Sequence, residues 1–280
     1  MRGVIVFLPH DIKLILSDID GTLLPYGQHV LSRRTLEAFH AALDAGIRVG
    51  PASGRGISHV VPTFGGDAAC VATALGTNGM QVYLDGELIH EELLPRSAML
   101  HVAEAIHDLP GVGAIVFDGG TPLLVEGARE DLALTFPVYA RQAVDADGIP
   151  DIPIFKMNVF TSGDLAATHA LHDQLSREVS ELDFNVPMAG FLNMSPPGYS
   201  KATGIDILCD ALGITLEQVV TFGDGGNDIE LVGHVPNGVA VAGAVPEVMV
   251  AARWHIGRCE DEAVQAAIES LAAAEWPFFV

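Results

Sequence analysis

The stretch that decides the fold is IKLILSDIDGTLL, residues 12–24. Its apolar run, 14–16, is typical of a buried parallel strand, and ligands of open α/β sheets bind at the carboxyl ends of such strands. Asp18 and Asp20 follow the strand at that edge, and residues two apart on a strand share one face. Gly21 lets the chain turn away closely. A polar turn would explain the same pattern, since Asp and Gly are common in turns.

Two such carboxylates suit phosphoryl transfer. An ionised aspartate can attack phosphorus and form an aspartyl-phosphate, and a neighbouring carboxyl group can give the leaving oxygen its proton. The pair alone does not distinguish this role from a turn, so the rest of the chain has to decide.

The composition is that of a globular protein and limits its partners. The chain has 280 residues, enough for one large or two modest domains, with 49% hydrophobic and 18% charged residues. A formal net charge of −22 argues against a nucleic acid partner, because phosphate backbones need basic patches. The same charge repels small phosphate esters, so a site for them needs a cation of its own, from a metal ion or a lysine.

Cysteine usage and the first residues indicate a soluble, cytoplasmic protein. Cys70, Cys209 and Cys259 form neither a Cys-x-x-Cys motif nor an even set, which favours a reducing compartment. The apolar segment 4–8 is too short for a membrane span or a signal-sequence core. We expect a short extension or edge strand there, and no membrane partner.

The pattern along the chain predicts a core that is interrupted by a second domain. Residues 1–80 alternate strands with a helix, including a second strand at 47–50 and a third at 70–75. Residues 81–189 alternate hairpins with helices, which predicts an inserted α+β domain. Residues 190–280 return to the core pattern. The predicted fold is therefore α/β, with a Rossmann-like parallel-sheet core, helices on both faces and an inserted α+β domain.

Three further stretches place polar side chains at strand ends or helix starts. Ser53 falls at a strand-to-helix turn, where a hydroxyl and backbone N–H groups can hold a phosphoryl oxygen, although in isolation an ordinary N-cap serine is the simpler interpretation. Lys201 begins a predicted helix and is one of only three lysines, with Lys13 and Lys156. Gly223-Asp224-Gly225-Gly226-Asn227-Asp228 follows a second apolar strand, so its acids also reach the carboxyl edge.

With these motifs in this order, the chain resembles the haloacid dehalogenase superfamily, and within it the Cof-type phosphatases of subfamily IIB with a C2-type cap. The matching motifs are Asp18-Ile19-Asp20-Gly21-Thr22-Leu23-Leu24, Ala52-Ser53-Gly54-Arg55, Ser200-Lys201 and Gly223-Asp224-Gly225-Gly226-Asn227-Asp228, with Thr77-Asn78-Gly79 before the insertion. The resemblance covers nearly the whole chain from Lys13 onward. It implies that residues 81–189 are the cap.

The resemblance also implies a role for each site residue. Asp18 is expected to be the nucleophile, Asp20 the general acid and then base, and Ser53 and Lys201 the residues that hold the phosphoryl group. Further substrate contacts are expected from Gly54, Asn78 and Asn227, of which Asn227 would also orient its acidic neighbours. Mg²⁺ would be held by Asp18, the backbone carbonyl of Asp20, Asp224 and Asp228. Lys156 is left out of the site, because a structural or solvated lysine explains it as well.

The expected function is that of a Mg²⁺-dependent phosphatase that hydrolyses small phosphorylated metabolites, such as sugar phosphates or phosphorylated cofactors. Two alternatives stay open: a sugar phosphomutase of the same superfamily, and a non-catalytic protein that binds phosphorylated metabolites on the same scaffold. The protein is expected to be a monomer or homodimer. Its apolar tail, 276–280, is expected to dock on its own core rather than on a second subunit.

Overall fold

The computed structural model describes residues 11–278 and has a five-stranded parallel sheet at its core. The strands are β1 (Leu14–Ser17), β2 (Arg48–Pro51), β3 (Ala74–Gly76), β4 (Gln81–Leu84), β5 (Glu87–Glu91), β6 (Val112–Asp118), β7 (Thr121–Glu126), β8 (Val144–Asp145), β9 (Met157–Thr161), β10 (Asp183–Met188), β11 (Phe191–Ser195), β12 (Val219–Gly223), β13 (Asn237–Val241) and β14 (Trp254–Ile256). The helices are α1 (Arg33–Asp44), α2 (Ile57–Val60), α3 (Arg96–Ile106), α4 (Arg129–Thr135), α5 (Pro137–Gln142), α6 (Leu165–Glu178), α7 (Lys201–Leu212), α8 (Ile229–His234), α9 (Pro246–Ala251) and α10 (Ala263–Ala272).

The core sheet has the strand order β14-β13-β12-β1-β2, and every pair is parallel. β1 lies between β12 and β2 in a register that sets Ser17 beside Phe222 and Pro51. All of β1 is buried, which explains its continuous apolar run. Three strands therefore end side by side, and the segments that follow them meet at one edge of the sheet.

Helices cover both faces of the core sheet. Ile15 of β1 belongs to one hydrophobic cluster with Phe39 of α1 and Ile268 of α10. Leu14 and Leu16 belong to another cluster, which includes residues of α7. Because successive side chains of a strand point to opposite faces, the two clusters lie on opposite sides of the sheet. The predicted α/β fold with a Rossmann-like core is confirmed.

The third predicted core strand lies only beside the core sheet. β3 is joined by one parallel bridge, Leu75 with Ala52, to the residue that follows β2. It pairs antiparallel with β4, which in turn pairs with β5. The β4–β5 hairpin, predicted to open the inserted domain, thus belongs to a small three-stranded sheet next to the core. The reason is packing: Val82 of β4 is buried in the same cluster as Leu75 and Ile205 of the core.

The inserted segment forms a six-stranded sheet with the order β10-β11-β9-β6-β7-β8. Its pairs are antiparallel except for β7 with β8. One face packs on α3 and α6, and the other packs on α4 and α5. Neither α4 nor α5 is predicted from the sequence, because each is too short to show a helical period.

β11 lies outside the core sheet, although the predicted return to the core begins at residue 190. It pairs with β9 and, after a turn at Gly190, with β10 in the six-stranded sheet. Two short segments, 92–95 and 196–200, therefore link this sheet to the rest of the chain. The division into 1–80, 81–189 and 190–280 stays a prediction, and the sheets favour an inserted domain closer to 92–195.

The end of the described chain packs on the core, as expected for the tail. Phe278 is buried, and its ring centre lies 6.0 Å from that of Trp254 and 6.2 Å from that of Phe222. Residues 279 and 280 and the predicted extension at 4–8 lie outside the described residues. Within 11–278, no helix is both long enough and apolar enough to cross a membrane.

Candidate active site

Asp18 stands directly after β1, in the middle of the core sheet. Its backbone N–H donates to the Phe222 carbonyl at 2.9 Å, which extends the ladder between β1 and β12 by one residue. Its side chain is buried, and the residue is 7% exposed. Strand pairing thus fixes this carboxylate where the segments after β2 and β12 converge.

Lys201 joins two of the acids. It is the first residue of α7 and is fully buried, and its Nζ donates to Asp18 Oδ1 at 2.6 Å and to Asp228 Oδ1 at 2.5 Å. The Ser200 hydroxyl accepts the backbone N–H of Ala202 at 3.2 Å and so caps the start of the helix. The cap holds Lys201 in position, and the two carboxylates compensate the cost of burying its charge.

Asp224 and Asp228 form a buried acidic cluster with Asp18. Thr22 Oγ1 donates to Asp224 Oδ1 at 2.6 Å, and the Tyr26 hydroxyl donates to Asp224 Oδ2 at 2.9 Å. Asp228 Oδ2 accepts two backbone N–H groups of its own loop, at 3.1 and 3.0 Å. Each carboxylate of the cluster is therefore held in a fixed orientation.

Gly21 makes the close approach of the two strand-end loops possible. Its φ is +87°, and a Cβ atom at this position would lie 2.3 Å from Asp224 Oδ2. Both the backbone conformation and the available space therefore require glycine. The turn expected after the first two aspartates is present, and it packs directly against the second acidic motif.

Burial and mutual repulsion set the electrostatics of the cluster. Burial first and the charge of Asp228 second raise the pKa of Asp18 well above its usual value of 3.8, while Lys201 opposes the shift. Burial is also the main reason why the pKa of Asp224 is raised to about 6. Burial alone would lower the pKa of Lys201, but the charges of Asp18 and Asp228 outweigh it and raise that pKa.

The cluster fits a divalent cation. One carboxylate oxygen from each of Asp18, Asp224 and Asp228 lies within 4.8 Å of the others. Lys201 supplies a single positive charge to three buried carboxylates, which leaves the cluster short of positive charge. Hard oxygen ligands of this kind are those that Mg²⁺ prefers. Ligation by the Asp20 carbonyl stays a prediction.

Ser53 lies in the loop after β2, at the same edge of the sheet. Its backbone N–H donates to the Leu75 carbonyl at 2.8 Å, and its hydroxyl oxygen accepts the backbone N–H of Arg55 at 3.1 Å. The hydroxyl therefore organises its own turn, as an ordinary capping serine would. Its proton has no acceptor among residues 11–278 and is free to reach a ligand.

Asn78 and Asn227 connect the loop before the inserted segment to the loop after β12. Asn227 Nδ2 donates to Asn78 Oδ1 at 3.1 Å, and the expected role of Asn227 in orienting its acidic neighbours stays a prediction. Gly79 has a φ of +89°, and a Cβ atom there would lie 2.6 Å from the Ser200 carbonyl. The loop thus packs directly against the start of α7, which brings Asn78 close to Ser200 and Lys201.

Asp20 lies apart from the acidic cluster. One of its carboxylate oxygens accepts a hydrogen bond from Nε of Arg55 at 3.0 Å, and the other accepts one from Nη2 of the same side chain. Arg55 also donates to Thr63 Oγ1 at 3.2 Å. The two aspartates of the first motif therefore have different surroundings: Asp18 faces a lysine and acids, and Asp20 faces an arginine. Arg55 belongs to a matching motif, but no role was expected for it.

A cavity of about 490 Å³ separates the core edge from the inserted domain. Asp18, Asp20 and Ser53 line its core side. The opposite side is lined mainly by residues that the sequence analysis did not assign to the site: Phe136, Tyr139, Lys156, Pro187, Met188, Phe191 and Asn193. Apolar and aromatic residues of an inserted domain carry no motif, so no sequence signal separates them from an ordinary core.

Lys156 is a cavity residue that the sequence analysis left out. Its Nζ donates to the carbonyl of Gly54 at 2.9 Å and lies 5.0 Å from the centre of the Phe117 ring. Burial, with the nearby charge of Arg55, lowers its pKa from 10.5 to about 7. The rarity of lysine in the chain was a signal that could have found it.

The site defines a class of protein. A buried carboxylate beside a lysine, a second carboxylate at the mouth of the same cavity and an acidic cluster suited to a divalent cation together form the apparatus of metal-assisted phosphoryl transfer. The chain belongs to the haloacid dehalogenase-like hydrolases, whose family model matches residues 15–268. The predicted superfamily is confirmed.

Two curated relatives are similar to the chain over most of its length. The 5-amino-6-(5-phospho-D-ribitylamino)uracil phosphatase YbjI of Escherichia coli (strain K12) is 26% identical over 95% of this chain and 98% of its own. The HMP-PP phosphatase of Klebsiella pneumoniae (strain 342) is 29% identical over 90% of this chain and 93% of its own. Among solved structures, the HAD subclass IIB sugar phosphatase BT4131 matches with a TM-score of 0.76 and 21% identity, over 92% of this chain and 98% of that one, which shows the shared fold.

Proposed function

We propose that this protein is a Mg²⁺-dependent phosphatase of small phosphorylated metabolites that acts through an aspartyl-phosphate. The observation that carries the proposal is the setting of Asp18. Lys201 holds Oδ1, whereas Oδ2 accepts no hydrogen bond from any described residue, and the residue lines the cavity. One oxygen is thus fixed and the other is available for attack. Family membership and the phosphatase names of both curated relatives support the reaction class.

In the first half of the proposed reaction, Asp18 attacks the phosphorus atom of the substrate. The bond between phosphorus and the leaving oxygen breaks, and Asp20 gives that oxygen a proton. Ser53 and Lys201 hold the phosphoryl oxygens, since one offers a free hydroxyl proton and the other a buried positive charge. Asp20 suits the acid role because its side chain lines the same cavity without joining the acidic cluster.

In the second half, water attacks the phosphorus atom of the aspartyl-phosphate. Asp20, now a carboxylate, takes a proton from that water, the bond between phosphorus and Asp18 breaks, and inorganic phosphate leaves. Asp18 is then a free carboxylate again, paired with Lys201. Both aspartates thus return to their starting state after one turnover.

A divalent cation belongs to the proposed reaction. Asp18, Asp224 and Asp228 would hold Mg²⁺, with the Asp20 carbonyl as a further ligand. When bound, the ion would offset the repulsion between an anionic phosphoryl group and an anionic nucleophile.

The proposed substrates are sugar phosphates or phosphorylated cofactors, and the proposed location is the cytoplasm. All three cysteines, Cys70, Cys209 and Cys259, are buried and unpaired, which suits a reducing compartment. A monomer or a homodimer would be compatible with a site built from one chain.

Phosphate release from phenyl phosphate, measured with Mg²⁺ and again with excess chelator, tests the proposal. The wild type should release phosphate only with the metal. Asp18→Asn should lose at least about a thousandfold in kcat, because the amide is a poor nucleophile. Asp44→Asn, a change at an exposed acid of α1, is the matched control and should keep full activity.

Three results would contradict the proposal. Activity that survives Asp18→Asn or the chelator would exclude this nucleophile or this metal dependence. A product isomer formed without loss of phosphate would identify a mutase instead. Tight binding of phosphorylated compounds with no turnover over a broad panel would identify a binding protein.

A further inference from the structure

Three aromatic side chains form one side of the active-site cavity. We call Phe136, Tyr139 and Phe191 the aromatic wall. The Phe136 ring stacks on Tyr139, with centroids 5.0 Å apart and planes at 17°, and lies 4.3 Å from the Phe191 ring. Phe136 and Tyr139 are partly exposed, and all three residues line the cavity opposite Asp18. The wall therefore offers a preformed aromatic surface to the leaving group of a substrate.

Few hydrogen-bonding groups accompany the aromatic wall. Asn193 is already engaged: its Oδ1 accepts Asn158 Nδ2 at 2.6 Å and its Nδ2 donates to Asn185 Oδ1 at 3.3 Å. One N–H of the Lys156 ammonium group donates to the backbone carbonyl of Gly54. The Tyr139 hydroxyl has no partner among the described residues 11–278. A polyol bound here would lose water from several hydroxyl groups and regain few hydrogen bonds, which is unfavourable.

We propose that the cavity selects phosphate monoesters whose leaving group carries a planar aromatic or heteroaromatic ring, bound against the aromatic wall. The inference rests on the proposed phosphatase function and narrows its substrate class. The ring packs on the parts of Phe136 and Tyr139 that remain exposed, while Tyr139 and Lys156 retain donors for acceptor atoms at the edge of the ring. A cavity of about 490 Å³ has room for a ring together with a phosphoryl group.

Burial of Lys156 is consistent with a ring of this kind. Its pKa is lowered to about 7 by burial and by Arg55, so the side chain exerts less positive charge near neutral pH than an exposed lysine does. Within the cavity lining, the carboxylates, Asp18 and Asp20, are on the core side, and none is on the side of the wall. The wall thus lacks the charged acceptors that would hold the hydroxyl groups of a sugar.

Three esters of primary alcohols test the proposal: benzyl phosphate, cyclohexylmethyl phosphate and glucose 6-phosphate. Their leaving groups are similar and their rings are of similar size, so they differ mainly in flatness and polarity. Dissociation constants are measured by calorimetry with Mg²⁺ and the Asp18→Asn variant, which removes turnover from the comparison. Benzyl phosphate should bind about threefold more tightly than the cyclohexyl compound and at least about tenfold more tightly than glucose 6-phosphate.

Failure of this inference differs from failure of the proposed function. Equal or tighter binding of glucose 6-phosphate, or no binding of benzyl phosphate, overturns the aromatic preference whatever the wild type does. Absence of phosphate release from all three esters by the wild type overturns the phosphatase proposal, while the binding order in the Asp18→Asn variant still decides this one.

Substitution of the wall provides a second, independent readout. Phe136→Leu keeps an apolar side chain but removes the aromatic ring, so the ratio of kcat/KM for benzyl phosphate to that for glucose 6-phosphate should fall about three- to tenfold. Tyr83→Leu, on β4 and outside the cavity, is the aromatic control and should leave the ratio unchanged. Thermal unfolding of each variant checks that it is folded. An unchanged ratio in folded Phe136→Leu overturns the role of the wall.

Discussion

Arg55 donates hydrogen bonds to both carboxylate oxygens of Asp20, from Nε at 3.0 Å and from Nη2. The pair lies at the mouth of the cavity, where the two side chains are 33% and 43% exposed. A planar guanidinium fixes a carboxylate in direction as well as in distance, which a lysine cannot do. Arg55 therefore decides where the proposed general acid points, although it takes no part in the proposed proton transfer itself.

Arg55→Lys tests this positioning role. The charge stays but the two-pronged geometry is lost, so kcat should fall about tenfold while KM changes less than about threefold. The free energy of unfolding should change by less than about 1 kcal/mol, because exposed ion pairs contribute little to stability. Steady-state kinetics and urea unfolding measure the two effects. Arg33→Lys, in an exposed pair with Glu37 on α1, is the control, and equal kcat in both variants would contradict the role.

Lys201→Met should destabilise the metal-free protein by about 3–5 kcal/mol, because it leaves two buried carboxylates without their cation. Mg²⁺ should restore part of the loss, since the ion supplies the missing positive charge at the same cluster. Urea unfolding with chelator and with Mg²⁺ measures both quantities. Lys13→Met removes an exposed lysine and should change stability by less than about 1 kcal/mol. A loss that Mg²⁺ leaves unchanged would contradict the electrostatic explanation.

The stability of the metal-free protein should fall as the pH rises from about 4 to about 6. The pKa of Asp224 is raised from 3.8 to about 6 in the folded state, mainly by burial, so the folded form binds this proton more tightly than the unfolded form does. The resulting stabilisation is complete below pH 4, is lost as the pH passes 6 and amounts to at most ~3 kcal/mol. Denaturant titrations with chelator at several pH values measure it.

Asp224→Asn is the matching variant for that pH dependence. It should flatten the part of the curve that Asp224 contributes, and Mg²⁺ should flatten the wild-type curve because it stabilises the ionised form. If stability depends on pH with the same slope in the wild type and in Asp224→Asn, the assignment to Asp224 is contradicted.

For the buried Lys156, we expect a contribution to stability that rises with pH, opposite to the contribution of Asp224. Its pKa is lowered from 10.5 to about 7 in the folded state, so the cost of its burial is complete below pH 7 and is relieved as the pH rises toward 10.5. Lys156→Met should therefore gain stability relative to the wild type at pH 6.5, and the gain should shrink by pH 9.5. Urea unfolding at the two pH values measures the gain, with Lys13→Met as control. A constant difference between the two proteins would contradict the shifted titration.

The sequence predicted best what depends on local pattern. The apolar runs of β1 and β12, each followed by acids and glycine, place Asp18 and Asp224 at one edge because parallel strands end together. Serine is a preferred N-cap residue, and Ser32, which precedes α1, accepts the backbone N–H of Thr35 at 3.2 Å. These predictions needed only the periodicity of strands and helices and the chemistry of their ends.

The sequence could not predict contacts that form between distant segments. Lys156 meets Gly54 across 102 residues, and Tyr26 meets Asp224 across 198. The predictions of which sheet contains β4 and β11 were wrong for the same reason. Both have ordinary strand patterns, and only their packing partners decide which sheet they join. The aromatic wall depends on two short helices whose positions follow from the tertiary structure rather than from their own sequences.

The short link 196–200 has a mechanical consequence. It leaves the six-stranded sheet after β11 and ends where α7 begins, so Lys201 is anchored in the core one residue beyond the link. The Ser195 hydroxyl donates to the Tyr199 carbonyl at 3.0 Å. This hydrogen bond spans most of the link and limits the number of backbone bonds that can rotate in it. A swing of the inserted domain would turn about this link and the companion segment 92–95. Such a motion would uncover the acids and their lysine without pulling them apart, so the proposed catalytic groups would stay assembled while the cavity opens.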